Sequence, residues 1–477
     1  MRTRDIWTQD IWTRDIPSLD PVAAALALSH LPGLAFLDSA MPHATLGRRS
    51  LLAADPFGRF RCRDGRATLD GQALNGAPLE ALRSCLAPYR VAPDPGLPTI
   101  PGGAIGYIAY DFGRSLEPAA VPDRRAGLCD DIALNLYDTL LAIDHASGRC
   151  QLVATGFPET DPAARKACAL ARLDAFAALL ERAELPPPLP AATPLDWSSN
   201  FSRGAYEAAV ERVRDYIRAG DIYQANLAQR FEAALPPGFD AFGLYRRLRA
   251  TNPATFGAYL AFEGLKIASS SPERFLKLEG RSVETRPIKG TVRRVADPEQ
   301  DDRLAQALQA DPKERAENIM IVDLLRNDLS RICEPHSVQV PTLCGLESYA
   351  SVHHLVSVVT GTLRAGMDAL DLLGATFPGG SITGAPKLRA MDIITEIEGD
   401  ARELYCGAIG AIGFDGSLDT SIAIRTVFMD GKTAVLQSGG GVTLLSEPAA
   451  EYEETLTKAA RVFEAFTDKA FADRGER

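Results

Sequence analysis

Up to about residue 160 the apolar positions come in short runs punctuated by Gly, Pro and Asp, a pattern that predicts strands. "GGAIGYIAYDFG" (102–113) reads as one strand, and "DIALNLYDTLLAIDHASGRCQLVATG" (131–156) as a hairpin about "HASG". The Ala/Leu/Arg-rich stretch 161–184 reads as a helix. "LPPPLPAATPLDWSSN" (185–200), with four prolines in six residues, reads as a stiff extended connector and the natural boundary of the chain. Beyond it Ser202 is placed to cap a helix, with Phe201 and Tyr206 as a hydrophobic staple. Tyr206, Val210, Val213 and Ile217 share one face of that helix, and Gly220 ends it. Strands at "IYQANLAQRF", "FGAYLAFEG" and "LKIASSSP" follow, then helices at 312–330, near 386–398 and at 447–466, with a hairpin-rich stretch at 405–438. No regular βαβ beat is present, so the expected class is α+β, with sheets packed together and helices outside.

A chain of 477 residues exceeds what one hydrophobic core serves. The division expected is a leader at 1–20, an N-terminal α+β region at 21–184, the Pro-rich linker at 185–200 and a second region at 201–470. The formal charge of −11 argues against nucleic-acid binding as the main role. Eight scattered cysteines without a CxxC pair fit a reducing cytoplasm better than a disulfide framework. No apolar run of about 18 residues predicts a membrane span. The N-terminal "MRTRDIWTQDIWTRDIPSLD" lacks an apolar signal core, and its short repetition is expected to be a leader, disordered to about Pro17.

Candidate chemistry begins with two helix starts of equal spacing. Glu314 and Glu317 stand three residues apart, as do Glu451 and Glu454, so each pair occupies one helix face. If the faces meet, four carboxylates converge and call for a hard cation such as Mg²⁺ (magnesium). The alternative is ordinary helix-start chemistry, with Glu314 in a capping box behind Asp311 and Glu451 and Glu453 on a solvated first turn. Glu273, after a strand end at Pro272, is placed either for proton transfer or for pairing with Arg274. His353 and His354 point to opposite faces of a strand, so at most one enters a given pocket. The glycine stretches 377–387 and 438–442 present N–H groups to anionic oxygens or are merely turns. Lys289 sits between Pro287 and Gly290 in "ETRPIKGT", a frame suited to a held amine or to a strand-end lysine at the surface.

The ordered set "GDIYQANLAQRF", "SSSPERFL", "ETRPIKGT", "KERAENIMIVDLLRNDLSRI", "VHHLVS", "FPGGSITGAPKLRAM", "YCGAIGAIGF", "AIRT" and "GGGVTLLSEPAAEYEETLTKA" resembles the chorismate-utilising enzymes. Within that family it is most similar to component I of aminodeoxychorismate synthase, with anthranilate synthase component I close behind. The resemblance is dense over about 200–465 and thinner before, where "RRSLLAADP" and "GGAIGYIAYD" carry it. It implies two β-sheets packed face to face with helices outside, and a chorismate-binding catalytic region at 201–470. It implies Glu317 and Glu454 as the main Mg²⁺ ligands, with Glu314 and Glu451 completing the shell through water. Tyr405, Arg425, Thr383, Gly384, Lys458 and the Gly439, Gly440 and Gly441 backbone would bind the substrate. Glu273 would be the general acid for the departing C4 hydroxyl, and His354 would line the pocket.

The resemblance also gives Lys289 a role. Anthranilate synthases carry alanine there. In aminodeoxychorismate synthases the lysine is taken to add to ring carbon C2 as the C4 hydroxyl leaves, after which ammonia adds at C4 and expels it. Gln224 stands where isochorismate- and salicylate-forming members have a water-activating lysine, which disfavours those products. No amidotransferase-like cysteine motif and no appended lyase are expected in this chain, so a separate glutamine amidotransferase subunit, in a heterodimer, would supply ammonia. The expected product is 4-amino-4-deoxychorismate, on the route to 4-aminobenzoate and folate. Anthranilate synthesis and a non-catalytic scaffold for an amidotransferase are the competing readings.

Overall fold

The computed structural model describes residues 5–8, 10–41, 46–97, 100–124, 127–349 and 352–468. Two large sheets, of 13 and 12 strands, form the middle of the molecule. Small and apolar side chains from both meet in one inter-sheet core. Ala35, Ala53, Leu140, Leu260, Ile267, Phe428 and Val435 come from the first sheet, and Ile105, Tyr107, Ala133, Ile409 and Ala411 from the second. The outer face of the first sheet is covered by helices such as Pro162–Leu180 and Pro448–Phe463. Helix Pro312–Ser330 covers the second sheet through Ile321, Val322 and Leu325. The face-to-face α+β architecture is therefore present, with each helix burying one apolar stripe.

The chain divisions expected from composition do not hold. Strand Ala35–Asp38 pairs with Phe256–Phe262, and Gly103–Ile108 pairs with Ala408–Gly413, so each sheet is woven from both halves. The Pro-rich segment 185–200 is a strap rather than a domain boundary. Arg246 and Arg247 donate to the carbonyls of Pro187 and Pro190, and Trp197 packs against Phe463 and Phe466. The hairpin expected about 145–148 is present, Thr139–Asp144 pairing with Arg149–Ala154, but the stretch 131–156 holds a third strand as well. Ile132–Tyr137 belongs to the second sheet, and after Asp138 the chain crosses to the first as Thr139–Asp144 and Arg149–Ala154.

The leader is corrected too. Asp5–Thr8 and Ile11–Ile16 form a hairpin whose second strand pairs with Arg149–Ala154; residues 1–4 and 9 lie outside the described residues. Ile11 and Trp12 are buried, and Arg165 lies over the Trp12 ring while bonding Asp10. The β-favouring residues Ile11, Trp12, Thr13 and Ile16 were the available strand signal.

Deleting residues 1–17 should lower stability by about 3–6 kcal/mol, the value of two large buried side chains, and uncover an aggregation-prone sheet edge. Urea unfolding checks this; an unchanged midpoint would restore the disordered-leader reading.

Candidate active site

Strand Gln224–Ala234 pairs with Thr433–Val442 so that Asn226, Leu227 and Ala228 stand opposite Gly441, Gly440 and Gly439. Three successive glycines leave this stretch bare, and a cavity of about 720 Å³ opens beside it. A Cβ on Gly440 would lie 3.2 Å from Glu451 Oε2 and 3.3 Å from Glu454 Oε1. One on Gly441 would lie 2.1 Å from Gln224 Nε2 and 3.3 Å from Lys289 Nζ. Lys289 thus turns its amine into the acid-lined cavity.

Its strand, Ile288–Arg293, explains the frame. The ladder to Val352–Thr362 shifts register between Lys289 and Thr291, and Gly290 takes up the extra residue with φ +79°. This is the backbone state a glycine bulge requires. A side chain there would come within 3.0 Å of Glu314 Oε2.

Both acid pairs line the cavity. Asp311 caps its helix by accepting from Lys313 and Glu314 N–H, but its own N–H bonds Leu308, so Glu314 closes no capping box. Glu453, by contrast, is solvated and pairs with Arg203. Burial and neighbouring acids raise the pKa of Glu314 and Glu317, partly offset by Lys313 and Lys289. Burial raises Glu451 as well, with Glu454 adding to the shift and the Ser446 hydroxyl opposing it. Burial would also raise Glu454, but Lys458, Lys289 and Lys313 carry it below its ordinary value. Lys458 bonds Glu454 Oε1 at 2.6 Å and the Gly439 carbonyl at 3.0 Å. The donor set, carboxylates only, suits a hard cation. Among the described residues no three His, Cys, Asp or Glu side chains are placed to hold a metal together, so the fit is to an ion bound by one or two carboxylates and water.

Glu273 is buried, and burial pushes its pKa up to about 7 against the pull of Ser381, Lys289, the Ile288 N–H and Arg425. Arg274 pairs instead with Asp419 and Glu284. His354 lines the cavity with Nδ1 2.8 Å from Thr291 Oγ1. Burial and the Arg425 charge push it down to about 3, so its ring is neutral. His353 faces away, toward Asp301 and Ser348. Arg425, held at φ +52°, lines the cavity, and among the described residues its guanidinium has no hydrogen-bond or ion-pair partner. A half-buried, unpaired guanidinium is a ready receptor for a carboxylate. Tyr405 lines the same wall.

Three candidates stand behind the wall rather than in it. Thr383 is fully buried, and its hydroxyl donates to the carbonyls of Gly379 and Gly380, which occupies it in holding the turn. Gly384 pairs with Ala225, where a Cβ would strike the Gln224 carbonyl at 2.1 Å. Gln224 is buried and reaches the site only past Gly441, with its Oε1 unpartnered.

A family model described as chorismate binding enzyme matches residues 36–464. The chain belongs to the chorismate-binding enzyme family. It is 40% identical over 441 residues to aminodeoxychorismate synthase component 1 of Klebsiella aerogenes, covering 91% of this chain and 94% of that one. It is 41% identical over 407 residues to anthranilate synthase component 1 of Streptomyces coelicolor, covering 83% and 78%. The crystal structure of anthranilate synthase component I from Streptococcus pneumoniae TIGR4 superposes with a TM-score of 0.76 at 32% identity, covering 89% of this chain and 94% of that one.

In this chorismate-binding enzyme the wall is held by a group that sequence reading passed over. Arg402 is buried and donates to both Glu398 oxygens at 2.6 and 2.9 Å, to the Ile382 carbonyl at 3.0 Å and to the Asn226 carbonyl. Its guanidinium lies 5.7 Å from the Tyr405 ring centroid. Asn226, Thr291, Lys313 and Ser381 also line the cavity unannounced. The i,i+4 spacing of Glu398 and Arg402 was a signal, but such pairs are usually at the surface.

Arg402→Leu should destabilise by about 3–5 kcal/mol by leaving Glu398 charged and buried alone, and adding Glu398→Leu should recover part of the loss. Denaturant unfolding of the single and double variants measures this.

Proposed function

We propose that this chain is an aminodeoxychorismate synthase component I, converting chorismate and ammonia to 4-amino-4-deoxychorismate. The observation that carries the reading is a primary amine, Lys289, inside a cavity that also holds a buried carboxylic acid and an unpaired arginine. Arg425 and the N–H groups of Gly439–Gly441 receive the substrate's carboxylates. Glu317 and Glu454, with Glu314 and Glu451, would hold Mg²⁺, which would supply positive charge to the ring carboxylate.

Lys289 Nζ adds to C2 while both ring double bonds shift, from C1–C2 to C1–C6 and from C5–C6 to C4–C5, and the C4–O bond breaks. Glu273 delivers its proton to the departing oxygen, which leaves as water. Ammonia then adds at C4, both double bonds shift back and the C2–N bond to Lys289 breaks. His354, neutral, fills the pocket beside the ring without exchanging protons. The names of the relatives, component 1, support a second subunit, and a glutamine amidotransferase is the source of ammonia this chemistry needs.

The purified chain with chorismate, Mg²⁺ and ammonium, coupled to an aminodeoxychorismate lyase, should give 4-aminobenzoate by chromatography. Anthranilate, salicylate or no product would remove the assignment. Lys289→Ala should lose aminodeoxychorismate output by about two orders of magnitude or more, as expected when a covalent nucleophile is removed; undiminished output would exclude the covalent step.

Glu273 acts as an acid only while protonated. Its pKa is raised to about 7, so the proton is present below that value and kcat should fall as pH climbs through it. In Glu273→Gln the basic limb near 7 should vanish together with most of the rate.

A further inference from the structure

Ser381 belongs to a 3-10 turn, Gly380–Ile382, whose backbone is clamped on both sides. The Ile382 carbonyl accepts from Asn226 Nδ2 at 3.2 Å and Arg402 Nη1 at 3.0 Å, and the Thr383 carbonyl accepts from Asn226 N at 2.8 Å. Thr383 spends its hydroxyl on the turn itself. Ser381 does not: its Oγ donates to Glu273 Oε1 at 2.6 Å, across 108 residues of sequence. Glu273 is equally fixed from its own side. Its carbonyl accepts from Ile422 N at 3.1 Å, and its N–H donates to Ser271 Oγ at 3.3 Å. Two rigid backbones therefore meet through one hydroxyl–carboxyl contact inside the cavity, and the Ile288 N–H is a second hydrogen-bond donor to the same carboxyl.

We propose that Ser381 is a positioning residue for proton delivery, occupying Oε1 of Glu273 so that the acidic proton resides on Oε2. This rests on the reading of Glu273 as the general acid given above. When the C4–O bond breaks, its electron pair leaves on oxygen, which takes the proton from Oε2 and departs as water. The carboxylate left behind keeps the Ser381 bond on Oε1, now charge-assisted and stronger. The bond therefore favours the product side of the transfer. The charged and titratable groups facing Glu273 are Lys289, Arg425 and the Cys406 thiol, and burial keeps that thiol neutral with its pKa pushed up to about 12. Losing the Ser381 hydroxyl removes a stabiliser of the ionised form without altering those neighbours.

The test follows the Glu273 carboxyl itself by infrared titration of substrate-free protein, its band identified by subtraction of Glu273→Gln. In Ser381→Ala the midpoint should rise by about one pH unit, the size of a hydrogen bond to an ionised carboxylate. The basic limb of chorismate consumption should move with it, and kcat should fall about tenfold or more with KM little changed. Ser381→Thr, which keeps a hydroxyl, should restore both. An unmoved midpoint in Ser381→Ala, or a kcat loss that Ser381→Thr does not rescue, would overturn the proposal. A moved midpoint in a protein that makes anthranilate would support the Ser381 contact while removing the product assignment above.

Discussion

The site exists because three consecutive residues of one strand have no side chains. At Gly439 a Cβ would meet the Leu227 carbonyl at 2.3 Å, at Gly440 two carboxylates, and at Gly441 both Gln224 and Lys289. Side chains project alternately from a strand, so a bare face normally needs every second residue small. Here both faces are bare. One lets the neighbouring strand close in, and the other lets a helix bring its acids over the backbone. The freed N–H and C=O groups and the carboxylates above them then share one space, which polar substrates can enter.

That space is electrically expensive. Burial raises three of the four helix carboxyls, and proximity to one another adds to it. Only Glu454, beside Lys458, falls below its ordinary value. Such a cluster is tolerable in a folded protein only when cations face it, and Lys289, Lys313 and Lys458 supply them. Placing the reactive amine among those counter-ions gives one lysine two duties. It offsets the acids in the resting protein and, on the proposed reading, would stand within reach of the ring of a bound substrate. Glu273 sits apart, in a drier corner where burial outweighs four opposing contacts, so an acid and a set of anions coexist in one cavity.

Much of this was legible in sequence where the signal is local. Ser202 and Gly220 bound their helix as expected, the acid helices Pro312–Ser330 and Pro448–Phe463 begin where their Asp-Pro and Glu-Pro pairs place them, and His353 and His354 diverge. What failed was non-local. Proline content marks a stiff segment but not what it packs against, and the strap at 185–200 is held by arginines some 60 residues away. The crossing at Asp138 between sheets is invisible to periodicity, because both strands are equally buried. Thr383 and Ser381 lie two residues apart in one glycine-rich stretch, and only the turn geometry decides which hydroxyl faces the cavity.

Relatives named for two different reactions match this chain almost equally, at 40% and 41% identity. Overall identity therefore reports the shared scaffold: the inter-sheet core, the acid helices and the glycine strand. The choice between amination outcomes has to reside in a few atoms near the ring. Of the groups that face the cavity, the carboxylates, Arg425 and the glycine backbone would, on the proposed reading, hold an anionic ring whichever carbon is attacked. Lys289 is different in kind, because an amine can form and break a bond to carbon, which none of those holding groups does. The Gly290 bulge adds direction to that reactivity by fixing where the strand releases the side chain. On the proposed reading, one framed amine on a shared scaffold would let the fold stay constant while the carbon that receives nitrogen changes.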